Sequence, residues 1–147
     1  MIILDTNVLS EVLKPSPAQA VIDWLARPPR STFFTTSVVE AELRYGVCIL
    51  DAGERRQQLQ AALDAIFLED FRTRVIPFDR DCAMAYSQIA AHRRRLGRPV
   101  SQFDAMIAAA AASRGAQLAT RNTCDFADCG IELIDPWVDI PGSERGN

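Results

Sequence analysis

Five short apolar runs, MIILD, STFFTT, TRVIPF, AQLAT and IELID, punctuate the chain, and longer stretches of helical period separate them. Runs this short and this apolar read as strands buried on both faces, which occur where helices cover a parallel sheet from both sides. The intervening segments supply those helices. NVLSEVLK reads as a short first helix and PSPAQAVIDWLAR as a second, with Ser16 as N-cap, Pro17 at the first helical position and Gln19 closing a capping box. SVVEAELRYGVCIL opens a third with the box Ser37 to Glu40, and ERRQQLQAALDAIFLED a fourth after the break at Asp51-Ala52-Gly53. DRDCAMAYSQIAAHRRRLG is a long helix capped by Asp79, and SQFDAMIAAAAASRG an alanine-rich one, where Asp104 lies three residues after Ser101 and could close a capping box, ended by Gly115. The reading is α/β, a three-layer α/β/α sandwich with a mostly parallel central sheet. No linker, composition shift or repeat divides it.

In such sheets ligands bind beyond the carboxyl ends of the strands. Asp5 falls there, directly after MIIL. Three more acids reach the same edge on this reading: Glu42 early in the helix after the second strand, Asp104 in the first turn of SQFDAMIAAA, and Asp125 in the polar turn after AQLAT. Taken singly, Asp5, Asp104 and Asp125 are simplest as helix or turn caps. Glu42 is different, because Glu40 already holds the capping position and Glu42 shares a helix side with Val38, Tyr45, Gly46 and Ile49. It needs a partner. Two carboxylates about 4 Å apart repel by roughly 4 kcal/mol at an effective dielectric of 20, so a shared pocket calls for protons or a cation. Oxygen donors alone suit Mg²⁺ or Mn²⁺, and Thr6, Asn7 and Asn122 can supply neutral hydrogen bonds around the ion.

Composition removes the main competing chemistries. Lys14 is the only lysine and His92 the only histidine, so neither a Walker A loop nor a histidine pair for acid–base work can be assembled. His92 sits in HRRRLGRP, a solvated helix end, and is a poor centre for a serine hydrolase triad. With 19 acids available, any chemistry here is carboxylate chemistry. Cys48, Cys82, Cys124 and Cys129 lack metal-site spacing and read as reduced thiols. A formal charge of −3 argues against bulk electrostatic coating of nucleic acid. The N-terminus lacks signal-peptide features and no apolar run approaches the roughly 20 residues of a spanning helix, so the expected location is the cytoplasm.

The phrases ILDTNVLSE, SVVEAELRYGV, RPVSQFDAMIAAAA and LATRNTCDF, in this order, resemble the PIN-domain ribonucleases, specifically the VapC-type toxins of bacterial toxin–antitoxin pairs. The likeness runs from Met1 to Trp137 and places one PIN-like domain over residues 1–137, followed by a tail at 138–147 whose end is expected to be disordered. It implies a PIN-like α/β/α sandwich, dependence on Mg²⁺ or Mn²⁺, RNA cleavage, a homodimer, and neutralisation by a small antitoxin. Asp5 and Asp104 match the family's metal-binding aspartates, Glu42 its third acid, and Asp125 the acid of its T-R-N-x-x-D-F stretch. Many PIN domains carry an aspartate where this chain has Asn122.

The expected reaction is hydrolysis by metal-activated water, with Asp5, Glu42, Asp104 and Asp125 as the catalytic set. Substrate grip falls to the basic cluster Arg93, Arg94, Arg95 and Arg98, with Arg44 and Arg121 as further candidates. Arginines at a helix C-terminus are also favoured by the dipole alone. Trp24, Phe33, Phe34, Phe67, Phe71 and Trp137 read as core or dimer surface. The alternative is a non-catalytic RNA- or protein-binding module on the same fold, its acids serving only as caps.

Overall fold

The computed structural model describes residues 1–139. Strands β1 (Ile2–Leu4), β2 (Phe33–Thr36), β3 (Val75–Ile76), β4 (Gln117–Ala119) and β5 (Leu133–Ile134) form a five-stranded sheet in the order β3-β2-β1-β4-β5, and all four pairings are parallel. Consecutive residues Ile3 and Leu4 are 0% and 2% exposed, and Leu118 and Ala119 are both fully buried. Neighbours on a strand point to opposite faces, so the central strands are covered on both sides and the sheet is the middle of three layers. Short, unbroken apolar runs are what such a position requires.

Parallel neighbours need crossovers. Helices α1 (Thr6–Val12) and α2 (Gln19–Ala26) lead from β1 to β2, α3 (Ser37–Cys48) and α4 (Glu54–Asp64) from β2 to β3, and α5 (Arg80–Arg95) and α6 (Gln102–Arg114) from β3 to β4. The chain thus builds outward from β1 through β2 to β3, then returns to place β4 on the other flank of β1. That reversal opens a crevice at the carboxyl ends of β1 and β4.

Three caps follow the sequence reading: Asp79 Oδ1 accepts from Cys82 N at 3.0 Å, Ser101 Oγ from Asp104 N at 3.3 Å, and α6 ends on Gly115 at φ 59°, a left-handed position that favours glycine. Others shift. Helix α2 begins at Gln19 rather than beside Ser16, because Glu11 Oε1 reaches over from α1 to accept from Ala18 N at 2.9 Å. Helix α3 is capped one residue earlier than expected, by Thr36 Oγ1 accepting from Val39 N at 3.1 Å. Glu40 is thereby free to pair with Arg44. The fourth helix widens after Asp64 into a π turn over Ala65–Asp70.

Of the aromatics read as core or dimer surface, Trp24, Phe33 and Phe67 are buried in the core, the rings of Trp24 and Phe33 5.4 Å apart. Ala108, Ala109, Ala110 and Ala111 are all within 2% of complete burial, so the middle of α6 is enclosed all round, which its small side chains allow. Ordered contacts run beyond 137: Asp139 Oδ2 accepts from Trp24 Nε1 at 2.9 Å. The rest of the expected tail, 140–147, lies outside the described residues. Among the described residues the four cysteines are free thiols, Cys82 and Cys129 buried and Cys48 and Cys124 exposed. No helix among them is long and apolar enough to cross a membrane.

Candidate active site

Strand β1 delivers Asp5 into the crevice between β1 and β4. The register pairs Leu4 with Ala119, so the next residues, Asp5 and Thr120, face each other, and Asp5 is 4% exposed. Its Oδ1 accepts from Thr6 N at 2.8 Å, capping α1; its Oδ2 accepts from Thr120 Oγ1 at 2.8 Å and Asn7 Nδ2 at 3.2 Å. The capping and site readings of Asp5 therefore hold together. Thr120 Oγ1 also accepts from Asn122 N at 3.1 Å, and Asn7 Oδ1 from Arg121 N at 3.2 Å, so this small network fixes the turn after β4 against the start of α1.

Glu42 arrives from α3, where Thr6 Oγ1 donates to its Oε1 at 3.0 Å. That is its partner. The flank around it is more open than the sequence implied, since Tyr45 and Ile49 are 67% and 64% exposed. Asp104 comes from the first turn of α6, placed by the Ser101 cap. The three acids line one cavity of about 390 Å³ together with Thr6, Asn7, Ser10, Glu11, Lys14, Arg121, Asn122 and Trp137.

The electrostatics follow from that crowding. Burial pushes the Asp5 carboxyl up to about 6, against the pull of its hydrogen bonds from Thr120 and Thr6, and the charges of Asp104 and Glu42 push it the same way. Burial also raises Glu42 and Asp104, each with a smaller contribution from a neighbouring acid, Asp104 for Glu42 and Asp125 for Asp104. Such mutual repulsion is what a divalent cation relieves. Among the described residues no three or more His, Cys, Asp or Glu side chains are gathered into a ready-made ligand cluster. Magnesium does not demand one, because it binds through one or two carboxylates and keeps several waters. The donor set, all oxygen with hydroxyls and amides between the acids, fits a hard ion.

The structure brings Asp5, Glu42, Asp104, Thr6, Asn7 and Asn122 to this cavity. It leaves Asp125 off the wall: the residue is exposed, its charge reaches Asp104, and its backbone carbonyl accepts from Arg93 Nη1 at 2.9 Å. The basic cluster needs correction. Arg93 is 5% exposed, with its guanidinium on the carbonyls of Arg98, Asp125 and Ala127, so it is a structural tie and not a phosphate ligand. Arg98 is exposed but pairs with Asp128, which leaves Arg94 and Arg95 as the exposed members with no ion pair among the described residues. Arg44 is held between Glu40 and Asp64, both at 2.9 Å, and lies over the Phe67 ring. Trp137, read from sequence as core or dimer surface, packs on the core and also lines the cavity. Thr120 escaped the sequence reading altogether. Its signal was its place, the polar residue ending AQLAT as Asp5 ends MIIL.

The sequence matches the family described as the PIN domain over residues 2–130. The chain belongs to the PIN-domain family. This PIN domain is 37% identical over 137 residues to the VapC ribonuclease Y4jK of Sinorhizobium fredii, covering 93% of this chain and 98% of that protein. It is 35% identical over 139 residues to the toxin FitB of Neisseria gonorrhoeae, covering 95% of this chain and 100% of that one. Among solved structures, FitAcB from Neisseria gonorrhoeae superposes with a TM-score of 0.88 at 35% identity, over 94% of this chain and 99% of that one. VapBC2 from Rickettsia felis, bound to a DNA fragment from its promoter, gives a TM-score of 0.73 at 28% identity, over 91% and 98%.

Proposed function

We propose that this PIN domain is a divalent-metal-dependent endoribonuclease, the toxin of a toxin–antitoxin pair, working as a homodimer in the cytoplasm. One observation carries the catalytic part: Asp5, Glu42 and Asp104, from β1, α3 and α6, line one cavity at the switch point of the sheet. Asp5 and Asp104 are the proposed Mg²⁺ or Mn²⁺ ligands, with Glu42 binding directly or through water and Asp125 acting at longer range. When bound, the ion supplies an activated water and neutralises charge on the leaving oxygen. The protein's own part is positional. Thr120, Thr6 and Asn7 hold the Asp5 carboxylate in one orientation, Thr6 aims Glu42, and the Ser101 cap fixes the turn carrying Asp104. With one histidine in the chain, self-cleavage by the RNA 2′-hydroxyl lacks the usual acid–base pair, so the proposed nucleophile is water; with the 3′-oxygen as the leaving group, the products should carry 5′-phosphates. The relatives named as VapC ribonuclease and toxin, and the complexes FitAcB and VapBC2, support the toxin role and a small antitoxin partner.

Incubating the protein with a mixed RNA pool and Mg²⁺, then mapping the new ends, tests this reading. Cleavage should stop in EDTA and in a folded Asp5→Asn variant. Full activity in Asp5→Asn would refute it.

A further inference from the structure

The cavity wall carries two cations besides its acids, and they differ in what they are free to do. Lys14 Nζ lies 2.6 Å from Glu11 Oε2 and is already paired. Arg121 has no ion-pair partner among the described residues. Its guanidinium sits over the ring of Trp137, with Cζ 5.0 Å from the ring centroid, and both side chains line the cavity. The frame beneath them is fixed: Arg121 N donates to Asn7 Oδ1 at 3.2 Å, and Trp137 N to Asp135 Oδ1 at 2.9 Å. An indole attracts a guanidinium and limits its freedom, while the N–H edge stays available for the two-pronged contact that suits a phosphate.

We propose that Arg121, braced on Trp137, grips a backbone phosphate of the RNA strand next to the one that is cut, and so positions the strand over Asp5, Glu42 and Asp104. The proposal rests on the ribonuclease reading above. An acid-lined cavity repels a phosphodiester, and of the arginines that sequence offered for substrate grip, Arg44, Arg93 and Arg98 are committed to other partners. Arg94 and Arg95 do not line the cavity. Arg121 is the positive group left facing it. With the guanidinium over its ring, Trp137 acts as a brace rather than as a platform for a base.

The test measures binding of a labelled single-stranded RNA, in Mg²⁺, to the Asp104→Asn protein with and without Arg121→Ala. Losing one phosphate contact should weaken binding about tenfold and reduce the slope of log K against log salt by about 1. Arg121→Lys should fall between the two. Trp137→Phe should bind nearly as the parent, whereas Trp137→Leu, apolar but without a ring face, should lose about threefold. In the active chain Arg121→Ala should raise KM about tenfold and leave kcat within about threefold, the signature of lost uniform binding. Unchanged affinity and slope in Arg121→Ala, or no RNA binding by either protein, overturns the clamp; equal binding by Trp137→Phe and Trp137→Leu overturns the brace. Capture of a polyglutamate peptide that depends on Arg121 while RNA binding does not would also overturn it, assigning the arginine to an acidic protein segment. Arg121-dependent RNA binding by a wild-type chain that cuts no RNA would sink the nuclease reading, and with it the placement of the clamp beside a cut phosphate, while showing that Arg121 contacts RNA.

Discussion

Asp5 combines two duties that usually fall to different residues. One oxygen caps α1 through Thr6 N, and the other is held by Thr120 and Asn7 in the acid-lined cavity. The burial that makes this possible has a cost that depends on pH. An acid whose folded value rises from 3.8 to about 6 contributes stability that is fully present below 3.8 and is lost as pH rises through 6, because the folded protein must then hold a buried charge. Without divalent ions, Asp5→Asn should match the wild type at pH near 3.5 and exceed it above pH 7 by at most about 3 kcal/mol. Denaturant melts across that range measure the difference; a gap that stays constant with pH would show that the charge is not the cause. Asp5 and Asp104 were legible in sequence as acids at a predicted strand end and in the first turn of a predicted helix. Thr120 was not, since a threonine ending a strand is unremarkable until the register sets it opposite Asp5.

At the scale of elements, α5 shows how far a side chain's role can depart from its neighbours in sequence. Arg93, Arg94 and Arg95 are consecutive, yet the helix turns Arg93 inward, where it ties the segment after β4 through the carbonyls of Asp125 and Ala127. Removing it leaves carbonyls unsatisfied and a buried gap. Arg93→Met should therefore cost about 2–4 kcal/mol, and Arg94→Met less than about 0.5 kcal/mol; equal melting temperatures for the two would contradict the tie. The elements were readable because period and cap residues are local signals: Asp79, Ser101 and Gly115 stand at the predicted helix ends. Ser16 and Ser37 misled because the donors at those helix starts found other acceptors, Glu11 from across the α1–α2 turn and Thr36 one residue upstream.

For the whole molecule, the order β3-β2-β1-β4-β5 converts scattered acids into one site. Elements distant in sequence, β1, α3 and α6, each contribute one carboxylate, and the unfolded chain cannot offer that arrangement to an ion. Mn²⁺ should therefore bind the native state preferentially. At a hundredfold excess over Kd the gain is about 2.7 kcal/mol, several degrees in Tm for a chain of 147 residues. A triple variant, Asp5→Asn, Glu42→Gln and Asp104→Asn, should lose the shift in a thermal scan. An equal shift in the variant would place the ion elsewhere.

Sequence alone determined the class of the fold and narrowed the chemistry that can be proposed: short, doubly buried strands leave a helix-covered parallel sheet as the economical layout, and one lysine and one histidine leave carboxylates as the working groups of the proposed reaction. Tertiary structure decided which charges are available. Burial removed Arg93 and ion pairing occupied Arg44 and Arg98, while strand register paired Asp5 with Thr120 and the final turn set Trp137 beneath Arg121. Those outcomes depend on contacts between residues far apart in the chain, and local pattern carries no record of them.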